Sequence, residues 1–167
     1  MKKYAVLVAG GSGTRMGGAV PKQFLLLSGK PVLLHSIEKF LSAFYDIEII
    51  LVINPSFIEQ AKELLKNLAG SAKITITPGG ETRFQSVKNG LSQIKEDAVV
   101  FVHDAVRCLV SISLIHCCYE QALTKGSAIP AVSITDSIRM VDGNTTKIID
   151  RSVLKAIQTP QTFRSEI

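Results

Sequence analysis

Short apolar runs alternate with segments of helical periodicity along most of this chain. Each of the first four runs is followed by a stretch in which apolar residues recur every three to four positions. Such alternation is typical of right-handed crossovers between parallel strands, so the sequence predicts an α/β fold, a three-layer sandwich with a mainly parallel, Rossmann-like sheet. The predicted strands are residues 3–9, 47–53, 74–77, 98–102 and 128–132, and the predicted helices are residues 31–42, 56–68, 86–94 with Ser86 as the cap, and 111–125.

A different pattern begins at about residue 136. Residues 137–141 and 145–149 read as two strands around Asp142 and Gly143, a pair that is typical of tight hairpin turns. A two-stranded hairpin is barely stable alone in water, so we expect this protruding β-hairpin arm, about residues 136–150, to pack on a second copy of the chain in a homodimer. No linker or repeat interrupts the sequence, which predicts one domain over residues 1–167.

Charge and composition limit the classes of partner. The 19 basic and 14 acidic side chains give a net charge of +5, which favours an anionic ligand, but the cations are scattered and form no nucleic-acid-binding arm. A polyphosphate would satisfy this bias as well as nucleic acid would. The first apolar run is too short for a signal peptide or a membrane span, so we expect a cytoplasmic protein with no membrane and no nucleic-acid partner.

The first predicted strand opens into a glycine-rich loop with two nearby cations. Residues 9–13 read Ala-Gly-Gly-Ser-Gly, and Arg15 and Lys22 follow. Glycines let backbone N–H groups approach an anion, and the cations can face the charge of a polyphosphate. The spacing matches neither a Rossmann G-x-G-x-x-G nor a P-loop. The alternative interpretation is a glycine-rich turn with solvated charges.

Two further polar segments follow predicted strands. The loop at residues 78–83 follows the third strand, and residues 103–107, His-Asp-Ala-Val-Arg, follow the fourth. Ligands of parallel sheets bind outside the carboxyl ends of the strands, so both segments should meet the glycine loop in one crevice. Asp104 could hold a magnesium ion that bridges phosphate oxygens, or it could be a turn aspartate. His103 is more simply a structural hydrogen-bonding residue than a base.

Six sequence blocks follow one another along the chain. They are A-G-G-S-G-T-R-M-G at 9–17, P-K-Q-F at 21–24, G-G-E-T-R-F-Q-S-V-K-N-G-L at 79–91, V-H-D-A-V-R at 102–107, T-D-S-I at 135–138, and D-R-S with Q-T-P-Q-T-F at 150–163. In this order they resemble the 2-C-methyl-D-erythritol 4-phosphate cytidylyltransferases of the non-mevalonate isoprenoid pathway, which are nucleotidyltransferases. The resemblance extends over essentially the whole chain.

The resemblance implies three catalytic cations, Arg15, Lys22 and Arg151. Arg15 and Lys22 would stabilise the transition state at the α-phosphorus of CTP, and Arg151 would hold the acceptor's phosphate. Mg²⁺, or another divalent cation, would bind Asp104. The resemblance assigns the nucleotide to Ala9, Gly10, Gly11, Gly13, Gly80, Glu81 and Ser86, and the sugar-alcohol phosphate to Arg107, Ser137 and Thr159, with Arg151 and Thr159 reached across the dimer through the arm.

The implied reaction suits these residue types. A phosphate monoester with a second pKa near 6 is mostly dianionic at pH 7, so it can attack without a general base. The site must then align two anions that repel each other and stabilise the charge of the leaving pyrophosphate. Cations, glycine N–H groups and a metal can do this.

The sequence departs from the family pattern at two places. Cys108 stands where the family usually has a proline after the arginine of the H-D-A-x-R block. Family chains also continue past the Q-T-P-Q segment into a stretch with another active-site lysine, whereas this sequence ends at Ile167. We expect that a chain ending there would bind nucleotide and turn over poorly.

Three alternatives remain open from the sequence. Ribitol 5-phosphate cytidylyltransferase has similar glycine-loop, P-K-Q-F and H-D-A-V-R blocks, so the acceptor is the point of difference. A catalytically silent nucleotide-binding or scaffolding protein would share the cradle without the chemistry. Nucleic-acid binding is supported by net charge alone, and it would weaken steeply with salt.

Overall fold

The computed structural model describes residues 1–11 and 20–167. In these residues the helices are α1 (Val32–Ala43), α2 (Ile58–Leu65), α3 (Arg83–Leu91) and α4 (Ile112–Lys125). The strands are β1 (Lys2–Ala9), β2 (Leu26–Leu27), β3 (Lys30–Pro31), β4 (Glu48–Ile53), β5 (Ile74–Pro78), β6 (Ala98–Asp104), β7 (Ser127–Ala128), β8 (Ala131–Ser133), β9 (Ile138–Asp142), β10 (Thr145–Ile149), β11 (Lys155–Ile157) and β12 (Gln161–Arg164).

Six strands form the central sheet in the order β5-β4-β1-β6-β12-β7. Strands β5, β4, β1 and β6 are parallel neighbours, and β12 is antiparallel to both β6 and β7. The mainly parallel sheet predicted from the sequence is therefore confirmed. The chain proceeds from β1 outward to β4 and β5, and then returns to place β6 on the other side of β1. Such a reversal leaves a crevice at the carboxyl ends of the two central strands, where ligands of these sheets bind.

The helices cover both faces of the sheet. Residues of β1 alternate between two buried clusters, because successive side chains of a strand point to opposite faces. Ala5 and Leu7 pack in the larger cluster with α1, α2 and α4, whereas Tyr4 and Val6 pack in the smaller cluster with α3. The three-layer arrangement is thus also confirmed.

Helix α3 lies unusually close to the sheet at Gly90. A Cβ atom on Gly90 would lie 2.5 Å from Cγ1 of Val6 and 2.8 Å from Cγ2 of Val52. These separations are shorter than any ordinary carbon–carbon contact, so only glycine fits here. The close approach holds the last turn of α3 against β1 and β4.

The prediction of one continuous fifth strand over residues 128–132 is wrong. Its residues divide between β7 in the central sheet and β8, which pairs with β11 in a separate ribbon. Pro130 lies between them and has no N–H for a ladder, and its carbonyl accepts the N–H of Gln158 at 2.8 Å. Strand β12 was not predicted from the sequence, because its four residues contain no apolar run.

Two helices begin differently from the prediction. Helix α3 begins at Arg83, because Thr82 and Gln85 form a capping box. The prediction that Ser86 caps this helix is therefore wrong, and Ser86 is a buried residue inside it. Helix α2 is shorter than predicted and follows a 3-10 turn at Pro55–Phe57, where the Asn54 side chain accepts the N–H of Ser56 at 3.0 Å.

Strands β9 and β10 form the predicted hairpin, with Asp142 paired to Thr145. Gly143 has a φ of +56°, a conformation that favours glycine in two-residue hairpin loops. The arm exposes apolar side chains, among them Val141 at 71% and Ile148 at 78% of their full accessibility. Across the described residues, no helix is long and apolar enough to cross a lipid bilayer.

Candidate active site

The glycine loop begins at the end of β1 and is held there by Gln23. The Gln23 side chain is buried, and its Nε2 donates to the carbonyl of Ala9 at 3.1 Å and to that of Gly11 at 3.4 Å. Gln23 belongs to the 3-10 turn Lys22–Phe24, so Lys22 is held next to the start of the loop. The contacts explain why the P-K-Q-F block accompanies the glycines. Gly13 and Arg15, both predicted site residues, lie outside the described residues.

Ser86 brings the two glycine-rich segments together. The N–H of Gly80 donates to Ser86 Oγ at 3.0 Å, and the hydroxyl donates back to the carbonyl of Gly80 at 3.4 Å. A Cβ atom on Gly10 or on Gly79 would lie 3.1 Å from the same oxygen. The three glycines therefore surround one buried hydroxyl, as the predicted convergence of the loops requires. Glu81 is exposed beside them.

Asp104 at the end of β6 accepts hydrogen bonds from two arginines. Its Oδ1 accepts from Nε and Nη2 of Arg83, both at 3.0 Å, and its Oδ2 accepts from Nε of Arg107 at 3.0 Å. Burial would raise the pKa of the Asp104 carboxyl, but the hydrogen bonds from Arg107 and Arg83 outweigh it and hold the pKa below its usual range. The carboxylate is consequently ionised at neutral pH.

Behind Asp104, His103 is completely buried and is bonded at both ring nitrogens. Its Nδ1 lies 2.9 Å from Oγ1 of Thr159, and its Nε2 lies 3.2 Å from the carbonyl oxygen of Arg107. Burial lowers the pKa of His103 to about 4, so the ring is neutral at physiological pH. The expectation of a structural hydrogen-bonding histidine fits this environment.

Thr159 and Arg107 lie in the same part of the site as Asp104. The Asp104 N–H donates to Thr159 Oγ1 at 3.4 Å, and Arg107 Nη1 donates to Oε1 of Gln158. Thr159 is buried within its own chain against His103 and Asp104. That it is reached across a dimer stays a prediction.

Ser137 and Arg151 lie at the base of the arm. Nη1 of Arg151 donates to the carbonyl of Thr135. Ser137 and Arg151 line a shallow surface together with Asp150 and residues of β9 and β10, and that lining includes neither Asp104 nor Arg107. Their part in the site therefore stays a prediction that depends on the arm's partner.

The metal site predicted from the sequence has one carboxylate ligand, Asp104. Residues 1–11 and 20–167 contain no group of three or more His, Cys, Asp or Glu side chains that could hold a metal ion. Mg²⁺ commonly binds one or two carboxylates together with substrate phosphates and water, so Asp104 fits such an ion only as part of a metal–triphosphate complex. Arg83 occupies Oδ1 of Asp104 and would have to give up at least part of that contact.

Sequence reasoning missed Arg83 and Gln23 as site residues. Both lie inside the blocks that carry the family resemblance, so that pattern was the available signal. Their side-chain partners are distant in sequence, at 21 residues for Arg83 and 14 for the Ala9 contact of Gln23, which local spacing does not predict.

Comparison with known proteins gives one consistent result. The profile of the family IspD, 2-C-methyl-D-erythritol 4-phosphate cytidylyltransferase, matches residues 4–167. A protein of that name from Phocaeicola vulgatus is 41% identical over 167 residues, which cover 100% of this chain and 76% of the relative. A second, from Porphyromonas gingivalis, is 44% identical over 167 residues, with 99% of this chain and 73% of the relative covered.

Solved structures agree. The crystal structure of the 2-C-methyl-D-erythritol 4-phosphate cytidylyltransferase of Francisella tularensis aligns with a TM-score of 0.79 at 34% identity, covering 99% of this chain and 73% of that one. The bifunctional IspDF of Campylobacter jejuni aligns with a TM-score of 0.83 at 28% identity, covering 99% of this chain and 42% of that one. The resemblance seen in the sequence blocks is thereby confirmed, and the chain belongs to the 2-C-methyl-D-erythritol 4-phosphate cytidylyltransferase family.

Proposed function

We propose that this chain transfers a cytidylyl group from CTP to 2-C-methyl-D-erythritol 4-phosphate, giving 4-diphosphocytidyl-2-C-methyl-D-erythritol and pyrophosphate. The observation that supports this most directly, in a member of this family, is that Arg83, at the start of α3, bonds Asp104, so that the glycine segments held by Ser86 lie at the same edge of the sheet as Asp104 and Arg107. The glycine segments suit a nucleotide, and Arg107 suits a second phosphate.

The first half of the site would bind the nucleotide. Gly10, Gly80 and Ser86 form a close-fitting group without bulky side chains, which lets backbone groups approach a base and ribose. Glu81 would contact the base from the rim. Ala9, Gly11 and Gly13 would line the triphosphate, with Lys22 held beside them by the turn that contains Gln23.

The second half of the site would bind the acceptor. Arg107 is an exposed guanidinium held in a defined position by Asp104 and Gln158, and arginine matches the geometry of a phosphate. A phosphate oxygen of the acceptor then forms a bond to the α-phosphorus of CTP. The bond from that phosphorus to the β-phosphate oxygen breaks, and its electron pair leaves with pyrophosphate.

Positive charge would stabilise this transfer. The roles of Arg15 and Lys22 at the α-phosphorus are supported by the family blocks that contain them. Mg²⁺ bound to Asp104 would neutralise phosphate charge during the reaction. Because the acceptor phosphate is already dianionic, neutral His103 is not needed as a base.

We also propose that the arm forms a homodimer. The exposed apolar residues Val141 and Ile148 support this, since a two-stranded hairpin needs a packing surface to be stable. In the dimer, Arg151 and Ser137 at the base of the arm would complete the acceptor site of the partner. That the chain works in the cytoplasm stays a prediction from its short first apolar run.

A comparison of acceptors tests the function. Purified protein of verified length is given CTP, Mg²⁺ and either 2-C-methyl-D-erythritol 4-phosphate or ribitol 5-phosphate, and pyrophosphate release is measured. We expect faster release with the methylerythritol phosphate. Faster release with ribitol 5-phosphate would replace our choice of acceptor. Binding of CTP without release in either case would instead support the catalytically silent interpretation.

A further inference from the structure

The hydrogen bonds around His103 define one tautomer of its ring. The carbonyl of Arg107 can only accept, so Nε2, 3.2 Å away, must carry the proton. A neutral ring has one such proton, which leaves Nδ1 as an acceptor for the Thr159 hydroxyl at 2.9 Å. The lone pair of that hydroxyl accepts in turn from the N–H of Asp104. Every donor in this chain of bonds has an acceptor.

These bonds close a ring around the turn between Asp104 and Arg107. The N–H of Arg107 donates to the carbonyl of Asp104 at 2.9 Å, which closes the turn itself. His103 then bonds one end of the turn through the Arg107 carbonyl and reaches the other end through Thr159. The Arg107 backbone and the Thr159 hydroxyl are thus both held by a single imidazole, whereas the Asp104 carboxylate is held by Arg83 and Arg107.

The surroundings keep the imidazole in place. The ring packs edge-on against Phe40 of α1, with ring centroids 5.2 Å apart. Ser36 of the same helix, also buried, donates to the carbonyl of Ala105 at 2.6 Å, and the Ala105 N–H donates to the carbonyl of Val8 at 3.0 Å. Helix α1 and strand β1 thus hold the middle of the turn while His103 holds its ends.

We propose that His103, as the Nε2–H tautomer, is a positioning residue for the acceptor phosphate, because it fixes the Arg107 backbone and the Thr159 hydroxyl relative to Asp104. This inference rests on the proposed function, in which Arg107 binds the phosphate of the acceptor. His103 is completely buried, so it would act on the acceptor only through the groups that it bonds. Its loss should therefore weaken acceptor binding much more than CTP binding, since Gly10, Gly80 and Ser86 have no bond to it.

Three variants and a spectroscopic measurement test the proposal. His103→Phe keeps a flat ring and removes both hydrogen bonds, whereas His103→Gln can place an amide donor near the Arg107 carbonyl. His116→Gln is the matched control, because His116 is exposed on α4 and packs edge-on against Phe44, away from the turn. We expect His103→Phe to raise KM for the acceptor by about tenfold or more, the loss of roughly one good hydrogen bond, with KM for CTP changed less than about twofold.

Comparing KM for the acceptor with KM for CTP separates a positioning role of His103 from a general loss of protein stability. We expect His103→Gln to recover part of the acceptor KM and His116→Gln to match wild type. Equal increases in both KM values for His103→Phe, or a His103→Gln no better than His103→Phe, would overturn the proposal. If His103→Phe does not fold, the comparison of His103→Gln with wild type tests the proposal. The expected result is then a higher KM for the acceptor with an unchanged KM for CTP.

Histidine ring nitrogen shifts in the ¹⁵N-labelled wild type test the tautomer independently of activity. A proton on Nδ1 would overturn the inference even in an active enzyme. A wild type without activity toward the acceptor would contradict the proposed function and leave the tautomer result to stand by itself.

Discussion

Arg83 and Asp104 are joined by two hydrogen bonds to one carboxylate oxygen, each 3.0 Å long, across 21 residues of sequence. Arg83 is the first residue of α3, which follows the Gly79–Gly80 segment, and Asp104 is the last residue of β6. The pair thus links the proposed nucleotide side of the crevice to the proposed acceptor side. Anything that competes for Oδ1 of Asp104 also changes how the start of α3 is held.

Arg83→Gln should lower the Mg²⁺ concentration needed for half-maximal activity, because it removes a guanidinium that competes with the metal for Asp104. The Arg83 side chain is half-exposed, and such ion pairs are worth at most about 1 kcal/mol, so the decrease should be no more than about fivefold. Metal titrations of pyrophosphate release measure it. Arg164→Gln, which alters a guanidinium paired with Glu166, is the control, and an unchanged or higher requirement in Arg83→Gln would contradict the prediction.

Lys22→Ala should lower kcat by about 100-fold or more while changing the Kd for CTP by no more than about threefold, because its interaction strengthens as the α-phosphorus gains charge. Turnover and calorimetric CTP binding give the two values. Lys62→Ala is a suitable control, since Lys62 pairs with Glu59 on the exposed side of α2. Equal losses in kcat and in affinity would mean that Lys22 only binds.

Gly90→Ala should destabilise the protein even though alanine is the better helix former by about 1 kcal/mol. The new methyl group would meet Val6 and Val52 at 2.5 and 2.8 Å, and such overpacking typically costs about 1–3 kcal/mol. Urea unfolding should therefore show a lower free energy of unfolding. Lys88→Ala, at an exposed position of the same helix, should change it little, and a Gly90→Ala protein as stable as wild type would refute the close approach of α3.

Stability should fall as the pH decreases from about 6.5 to about 4. Unfolded His103 binds a proton near its ordinary pKa of 6.5, whereas the folded pKa is about 4, so in this window the unfolded state binds more protons. The contribution of His103 to stability is fully present above its unfolded pKa of 6.5. Roughly 3 kcal/mol of it is lost once the pH has fallen to the folded pKa of about 4. Denaturant titrations in EDTA measure the slope. His103→Gln should flatten it and His116→Gln should keep it.

Ile148→Glu should convert a dimer into a monomer, because a charge on the exposed apolar side of the arm would be buried without a partner. Sedimentation velocity at micromolar concentration measures the change, and turnover should fall with it if Arg151 acts across the interface. Tyr45→Glu provides a control, since Tyr45 is 86% exposed but lies after α1, before the amino end of β4. A wild type that is monomeric would end the homodimer proposal.

Much of the fold and of the site could be predicted from local sequence. Buried parallel strands appear as unbroken apolar runs, and residues at their carboxyl ends must share one edge, which is why Gly10, Gly80 and Asp104 could be brought together in advance. The position of β12 could not, because an antiparallel strand inserted after a long excursion leaves no periodic signal.

The insertion of β12 beside β6 also explains why Thr159 lies in the candidate site. Strand β12 pairs with β6, so the residues just before it pass beside the end of β6, where Thr159 meets His103 and Asp104. The contact between Arg83 and Asp104 was hidden for a related reason, since it depends on how α3 and β6 are placed in space. The helix cap at Thr82 could have been read from Thr82 and Gln85 by their spacing.

The place of β12 in the sheet has a consequence for biosynthesis. Strands β5, β4, β1 and β6 are all made before β12 and can pair with one another, but β7 joins the sheet only through β12. Until residues 161–164 emerge from the ribosome, the apolar strand β6 is an open edge, able to pair with another nascent chain. A ribosome that pauses just before this point would leave the edge of β6 unpaired for longer.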